Sequence, residues 1–354
     1  MAEDVSSNKS NRSPIAIFEL EDDYQAEWDE YVFSHPEGSF FHLLAWRRTI
    51  KKTYGHHAKY LYARKGDEWL GVLPCFVVGG RPFPRALVSV PVGVTGGILA
   101  SDQEVADLLF SAAHDYAQQE SLEYVEYKSE KPVFDNLPTK DDLYFSFHQE
   151  LYGDRDKQLK AIPRKTRAVI RSSERANLQG SYNREHLEPF YDLYTLSLRA
   201  LGTPAFPKSL FENALNECRS DFVTIREAGR IIGVVMNFYY KDTILPFFAG
   251  TVPEARNVGV NNYIYWYMLQ TGYDLNFRSF DFGRSKKGTG AFKFKKNMGM
   301  EPIALKYQYD LVQAKEMPQI NPNNPKYEKV ITAWRKMPLF ATKIIGPMIQ
   351  KRLP

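Results

Sequence analysis

Hydrophobic positions in the first half of the chain recur with two periods, one typical of strands and one typical of helices. Strand-like alternation occupies 60–64 and 69–78, and the polar turn between these segments predicts a hairpin. A further apolar stretch ends in glycines at 96–98, a helical pattern follows over 105–116, and 124–129 alternates as another strand. The first half therefore predicts a hairpin, a glycine-ended strand, a helix and a closing strand.

The second half repeats this order. Residues 222–227 and 231–239 predict a hairpin, 244–251 predicts a strand that ends in glycine, a helical pattern surrounds 264–269, and 280–283 predicts the closing strand. Further helices are predicted at 43–54, 185–201 and 207–218, the first two followed directly by glycine. The chain thus predicts the same succession of elements twice.

Equivalent positions in the two halves lie a nearly constant distance apart. Gly97 and Gly250 are separated by 153 residues, and Tyr124 and Ser279 by 155. This offset favours an α/β fold made of two copies of one unit, the alternative being two unrelated α/β domains that share a common order. We expect a disordered leader at 1–14, a first domain at 15–152, a second domain at 153–310 and a basic amphipathic tail at 311–354.

Composition places the chain among ordinary globular proteins. Of its 354 residues, 44% are hydrophobic and 25% are charged, which excludes a mostly disordered, collagen-like or disulfide-stapled chain. A net charge of +4 is too small to indicate a nucleic-acid binder. Cys75 and Cys218 lie outside any metal-ligand spacing, so no metal site is expected, and no secretory signal is recognisable. These features predict a cytoplasmic protein.

The segment between the strand 244–251 and the next helix contains Arg256, Gly259 and Asn261. Acyl-coenzyme A transferases of the GNAT class carry Arg/Gln-x-x-Gly-x-Gly/Ala at such a strand-to-helix point. Backbone N–H groups at the helix N-terminus bind pyrophosphate there, and small residues admit it. Asn261 is instead well suited to cap the helix, which competes for the same donors. The segment predicts either a coenzyme A loop or a capped helix without phosphate.

A basic, glycine-containing segment follows the last predicted strand. From 284 to 296 it holds six basic residues and no acidic one. We expect Phe292 and Phe294 to share one face of a strand, and Lys293 and Lys295 to share the other. Lysines beside a glycine loop suit a phosphate or a developing oxyanion. The alternative is a solvated surface hairpin.

The stretch FDFGRSKKGTGAFKFKKNMG, at 280–299, resembles the C-terminal signature of FemAB-type proteins, particularly the group associated with exosortase and exopolysaccharide loci. Further matches are His35-Pro36, Phe41-His42 with Trp46, Gly71-Val72-Leu73-Pro74 and Leu201-Gly202-Thr203-Pro204. The resemblance spans 31–309 and implies two tandem GNAT-like domains with mixed sheets flanked by helices. Better-known members transfer amino acids from aminoacyl-tRNA to the peptide of a peptidoglycan precursor.

The resemblance also implies catalytic residues. Members carry a lysine in a Phe-Lys-x-x-Phe-Gly motif, which 294–299 matches with Met298 in place of the second aromatic residue. It implies that Lys295 stabilises charge and that Phe294 positions it. By its place at a strand end, Asp281 is a candidate base or else a buried partner of a nearby arginine. The predicted substrate-binding residues of this segment are Arg284, Ser285, Lys286, Gly290 and Lys296.

Two other features are candidates for substrate binding. Residues 155–175 carry a net charge of +6, with Arg164 and Arg167 on one face of a predicted helix. That face suits a polyanionic substrate or tRNA, or is simply solvated. His42 and Trp46, at the first predicted helix, are candidates for substrate contact, the alternative being a structural histidine beside an aromatic residue.

The tail from 329 interleaves apolar residues with basic ones and contains no acidic residue. Such a segment either rests on an anionic membrane surface or docks on the body of the protein. We therefore expect a cytoplasmic protein with a peripheral contact to the inner membrane as one alternative.

These observations predict a FemAB-like acyl- or aminoacyltransferase that forms an amide on an amine-bearing cell-envelope or exopolysaccharide-related precursor. Amide formation from an activated ester passes through an oxyanion, which one well-placed donor such as Lys295 stabilises by about 3 kcal/mol. No tightly bound cofactor is expected. The coiled-coil insertion of some tRNA-dependent members is missing, so the donor stays open between aminoacyl-tRNA and acyl-coenzyme A. The alternatives are an acyl-coenzyme A-dependent N-acyltransferase and a non-catalytic binding or scaffold protein of polysaccharide assembly.

Overall fold

The computed structural model describes residues 14–318 and 328–352. The first elements in chain order are β1 (Ala16–Glu19), α1 (Gln25–Ser34), α2 (Leu44–Tyr54), β2 (His57–Lys65), β3 (Glu68–Gly80), β4 (Phe83–Ser89), β5 (Leu99–Ala100), α3 (Gln103–Gln119), β6 (Tyr124–Ser129) and β7 (Thr139–Lys140). The predicted leader at 1–14 lies, up to residue 13, outside the described residues.

The remaining elements follow in the same alternating manner. They are β8 (Tyr144–Ser146), β9 (His148–Glu150), α4 (Arg155–Lys160), α5 (Arg164–Arg175), β10 (Gln179–Asn183), α6 (Leu187–Leu201), α7 (Lys208–Glu217), β11 (Ser220–Glu227), β12 (Arg230–Tyr240), β13 (Thr243–Thr251), α8 (Val260–Asp274), β14 (Ser279–Asp281), β15 (Ser285–Lys286), α9 (Gly290–Asn297), β16 (Ile303–Ala304), β17 (Lys306–Leu311), α10 (Glu328–Lys336) and α11 (Leu339–Gln350). Among these helices, none combines the length and the apolar character that crossing a membrane requires.

Among the described residues, the first compact unit consists of 14–141, 305–318 and 352. Its sheet has the order β1-β2-β3-β4-β6-β17-β7, with β5 added beside β3. Neighbouring strands are antiparallel except β4 and β6, which run parallel. Helix α3 covers one face of this sheet and contributes Val105 and Leu109 to its core. The predicted α2 helix is confirmed, and Gly55 ends it with a φ of 68°.

Among the described residues, the second compact unit consists of 142–304 and 328–351. Its main sheet has the order β10-β11-β12-β13-β14-β9, and a small sheet has the order β15-β8-β16. The pair β13 and β14 is parallel, as β4 and β6 are in the first unit. Helix α8 packs on one face, where Ile264 and Leu269 lie in the core. Helix α6 approaches β13 so closely that a Cβ on Gly250 would lie 2.3 Å from the backbone nitrogen of Tyr194.

The predicted repetition is visible in both units. Each has three antiparallel strands, a helix, and a strand that pairs in parallel with the third. Gly71 and Gly233 occupy matching strands, and a Cβ on either would lie within 3.0 Å of side chains of the covering helix, α3 or α8. The same residue therefore permits the same close packing of helix on sheet in both units.

The structure places the unit boundaries differently from the expected 15–152 and 153–310. Residues 142–152 form β8 and β9 of the second unit. Strand β17 instead pairs with β6 over six consecutive residues and so completes the sheet of the first unit. A pairing between segments this distant in sequence leaves no mark in local hydrophobic periodicity, which is why the sequence pattern did not indicate it.

Of the described tail residues, 311–318 belong to the first unit, whereas α10 and α11 dock on the second unit. Helix α11 packs against α6, and a Cβ on Gly346 would lie 2.9 Å from the backbone nitrogen of Ala205. Lys343 pairs with Asp192 at 2.5 Å. One face of this helix therefore docks on the body of the protein, which is one of the two alternatives expected for the tail.

Candidate active site

The basic segment after β14 folds into helix α9, so the predicted strand over 292–296 is wrong. Thr289 begins the helix, because its Oγ1 accepts a hydrogen bond from the backbone N–H of Phe292. In a helix Phe292 and Phe294 no longer share a face: the first packs against Phe145 and Phe147, and the second against Tyr265. Accordingly, Lys293 is exposed and Lys295 is buried, and the two lysines do not form a pair.

The Lys295 ammonium is the buried centre of the site. The residue is 7% exposed, and its Nζ donates hydrogen bonds to the backbone oxygens of Gly283 at 2.8 Å and Arg284 at 3.3 Å. Burial lowers the pKa of Lys295 to about 7, with Asp281 opposing and Arg284 adding to this shift. A lysine held in this state is typical of functional sites rather than of surfaces.

A short polar chain lies beside this lysine. His148 Nδ1 is 3.9 Å from Asp281 Oδ1, and His148 Nε2 shares a 2.9 Å hydrogen bond with Ser146 Oγ. Asp281 Oδ1 also accepts the N–H of Gly283 at 2.7 Å. His148 faces Asp281 because β9 pairs with β14 in that register. Sequence reasoning missed Ser146 and His148, since only this long-range pairing brings them to the site.

The other predicted residues of this segment have different environments. The Arg284 guanidinium lies 4.5 Å from the centre of the Tyr144 ring. Ser285 is buried, and its Oγ has no hydrogen-bond partner within 14–318 and 328–352. Lys286 is half-buried, and desolvation lowers its pKa. Gly290 and Lys296 are exposed at the two ends of α9.

The parallel ladder next to the site is short. β13 and β14 pair at Thr243 with Ser279 and at Ile244 with Phe280, and the described ladder ends there. Beyond that point β13 continues to Thr251, while the chain after β14 turns at Gly283, whose φ is 67°. The described β13–β14 ladder therefore covers only the first two residues of β13.

The predicted coenzyme A segment forms a turn into α8. Gly259, with a φ of 70°, is the N-cap, so the expectation that Asn261 caps the helix is wrong. A Cβ on Gly259 would lie 3.0 Å from Val169 of α5, and the left-handed conformation of this glycine directly precedes the first residue of α8, Val260. No described side chain caps α8, and Arg256 and Asn261 are exposed. The alternative of a helix capped by Asn261 therefore does not hold, and the coenzyme A loop stays a prediction.

The basic segment 155–175 contains two helices, α4 and α5, with Pro163 between them, and the helix predicted to carry Arg164 and Arg167 is α5. Arg164 is exposed and Arg167 partly so. Thr166 donates a 2.6 Å hydrogen bond to the backbone oxygen of Asn297, so the start of α5 lies beside the end of α9. Helical periodicity turns the arginine face away from the face of α5 that contacts Gly259. The arginine face of α5 is therefore turned away from the start of α8.

His42 and Trp46 lie in the core of the first unit. His42 is 2% exposed, and its ring nitrogens lie 3.1 Å from the Gly97 oxygen and 2.8 Å from Ser39 Oγ. Burial lowers its pKa to about 4. Trp46 is fully buried and donates to the Pro91 oxygen. This favours the structural alternative for both residues.

Across the ranges the structure describes, no group of three or more His, Cys, Asp or Glu residues is placed to hold a metal ion.

Comparisons with known proteins agree with this architecture. Residues 164–296 match the model of the acetyltransferase (GNAT) domain. FemX, at 14% identity, superimposes with a TM-score of 0.66 over 89% of this chain and 100% of its own. A tandem GNAT protein from the clavulanic acid biosynthesis pathway gives 12% identity and a TM-score of 0.54, over 86% of this chain and 100% of its own.

The C-terminal domain of a putative lysylphosphatidylglycerol synthetase from Agrobacterium fabrum is also similar, at 12% identity and a TM-score of 0.53, over 81% of this chain and 91% of its own. No curated protein matches the chain in sequence. The chain therefore has a tandem GNAT fold like that of FemX, and the expected fold is confirmed. The GNAT-domain match, which includes Lys295, supports the predicted N-acyltransferase class.

Proposed function

We propose that the second unit transfers an acyl or aminoacyl group from an activated ester or thioester to an amine. The observation that carries this proposal is the buried Lys295 ammonium, which two backbone oxygens hold in a fixed position. A lysine ammonium has three protons, and these two bonds leave the third for a substrate oxygen. Burial strengthens its attraction for a negative charge that develops during the reaction.

The reaction follows from this geometry. The amine nitrogen attacks the carbonyl carbon of the donor, and the carbonyl oxygen becomes an oxyanion that the Lys295 ammonium stabilises. The carbon–oxygen or carbon–sulfur bond to the leaving group then breaks, the amide remains, and the amine proton passes to a base. Phe294 packs against Tyr265 and so holds the turn of α9 that carries the lysine.

We propose that His148, positioned by Asp281, accepts the amine proton. His148 is about one-third exposed and lies opposite Asp281 on the neighbouring strand. A positioned general base contributes about 10²- to 10⁴-fold to rate. We expect His148→Ala to lower kcat by about 10²-fold, to leave KM for the donor unchanged, and to regain activity with added imidazole. Steady-state kinetics on His148→Ala and on His57→Ala, a histidine of the first unit, measure this.

The result that would count against this role is a His148→Ala enzyme whose kcat falls without imidazole rescue. Asp281→Asn serves as the companion variant, since it removes the charge beside His148 and keeps its size. An equal loss of kcat in both single variants and in the double variant supports one coupled unit.

For the donor we propose acyl-coenzyme A or aminoacyl-tRNA, each supported by a different feature. The uncapped start of α8 suits the pyrophosphate of coenzyme A, and the arginines at the start of α5 suit tRNA. The Asn261→Asp variant places a negative charge at the α8 N-terminus. This charge stabilises the helix but repels a phosphate group. If acetyl-coenzyme A is the donor, we expect this variant to bind it at least tenfold more weakly. Arg164→Gln with Arg167→Gln is expected to weaken charged-tRNA binding instead.

Titration calorimetry with acetyl-coenzyme A and filter binding with charged tRNA distinguish these donors. If the folded protein binds neither donor, the result favours the third candidate, a non-catalytic binding or scaffold protein of polysaccharide assembly.

For the acceptor we propose an amine-bearing cell-envelope or exopolysaccharide-related precursor, which a cytoplasmic enzyme would meet at the inner membrane. The resemblance of 280–299 to the FemAB signature supports this acceptor, and a mass shift on such a precursor tests it.

A further inference from the structure

We propose that the outer face of α11 docks the protein on an anionic membrane surface. Phe340, Ile344 and Met348 follow one another at intervals of four residues and are 70%, 63% and 63% exposed. They form a stripe about 12 Å long, because a helix rises about 1.5 Å per residue. Single exposed apolar residues are common on proteins, whereas a continuous stripe on one helix face indicates a binding surface.

The opposite face of α11 packs on the second unit and so fixes the position of the stripe. Thr342 and Gly346, on the opposite face of α11, are buried, and the glycine lies against Ala205. Gln350 donates a 2.7 Å hydrogen bond to the backbone oxygen of Pro204. The helix is therefore fixed to the second unit by one face and presents the other outward. The docked and the membrane-bound alternatives for the tail are thus compatible.

The charge of residues 330–352 indicates that the outer face of α11 binds an anionic partner. Residues 330–352 contain five basic residues and no acidic one: Arg335, Lys336, Lys343, Lys351 and Arg352. Lys343 pairs with Asp192, whereas the structure shows no ion pair between the other four and a described acidic residue. Basic residues that flank an apolar helix face bind anionic lipid headgroups, while the apolar side chains enter the boundary between headgroups and acyl chains.

A second copy of the chain fits this face less well. Two such surfaces brought together would oppose like charges across the contact. Three side chains also offer roughly 500 Å² at most, below the about 800 Å² that each partner contributes to a stable complex. A bilayer surface needs no such area, because shallow insertion and charge attraction act together.

Vesicle co-sedimentation of the full chain tests the proposal. We expect binding to vesicles of phosphatidylcholine with 30% phosphatidylglycerol to be at least tenfold stronger than to phosphatidylcholine alone, and to weaken as salt rises from 50 to 300 mM. The triple variant Phe340→Ser, Ile344→Ser and Met348→Ser is expected to lose at least tenfold in binding. Lys351→Glu with Arg352→Glu is expected to remove most of the preference for anionic vesicles.

The control replaces two exposed apolar residues elsewhere on the second unit, Leu275→Ser and Ile303→Ser, which are 47% and 42% exposed. It is expected to bind vesicles as the wild type does. Equal binding by the triple variant, or no binding by the wild type to either vesicle, would overturn the proposal. A wild-type dimer that the triple variant converts to a monomer, without vesicle binding, would assign the face to a second copy. None of these measurements depends on transferase activity, so they stand apart from the proposed reaction.

Discussion

Lys295→Met is expected to lower kcat for acyl transfer by about 10²- to 10³-fold and at the same time to make the protein more stable. The loss of rate follows because methionine offers no charge and no proton to the oxyanion. The gain in stability follows because the buried ammonium is unfavourable in the folded state, as its pKa of about 7 records. At pH 7 this burial costs about 4 kcal/mol. The two lost hydrogen bonds of this charged donor offset about 3 kcal/mol of that cost, which leaves a net gain of about 1 kcal/mol.

Urea unfolding and steady-state kinetics on the same preparations measure both effects. Lys296→Met is the matched control, since it removes the neighbouring, exposed lysine of the same helix. It is expected to change the free energy of unfolding by less than about 0.5 kcal/mol. A Lys295→Met protein that is less stable than the wild type and keeps its rate would show that this lysine has a structural role. Lower activity combined with higher stability is the signature of a residue kept for function.

Much of the fold follows from local pattern. The helices that end at Gly55 and Gly202 were predicted because glycine adopts the positive φ that their ends require, 68° and 80° in the structure. The repeated strands were predicted because each carries its own apolar periodicity. Strand β17 was assigned to the wrong half of the molecule, because its place between β6 and β7 depends on partners more than 165 residues away.

The same distinction applies to the site. Lys295 was predicted from a motif, since its neighbours in sequence carry the resemblance. The strand predicted around it failed because alternating Phe and Lys residues fit both periods, and only the Thr289 cap decides for a helix. His148 had no local signal at all, because it is defined by the residue opposite it on β14. The residue type of Asn261 predicts a cap, but the left-handed Gly259 is the N-cap and the helix begins at Val260.

The free energy of unfolding of the wild type is expected to rise with pH, relative to Lys295→Met, by about 2 kcal/mol between pH 7.5 and 9.0. Lys295 has a pKa of about 7 when folded, against 10.5 as its ordinary value. In this interval the folded chain has released the proton and the unfolded chain still holds it. Unfolding therefore takes up a proton, and each pH unit adds at most about 1.4 kcal/mol to the stability of the folded state.

The comparison with Lys295→Met isolates this one group, because the other titrating residues are present in both proteins and cancel. The advantage of about 1 kcal/mol expected for the variant at pH 7 should accordingly vanish near pH 8 and reverse by pH 9, as the wild-type lysine becomes neutral in the folded state. Urea unfolding of both proteins at pH 7.0, 8.0 and 9.0 measures the difference. A difference that stays constant over this range would mean that the folded lysine titrates at its ordinary pKa, and so is not desolvated beside Gly283 and Arg284. The oxyanion role would then lose its physical basis, since an ammonium that water screens attracts a developing charge only weakly.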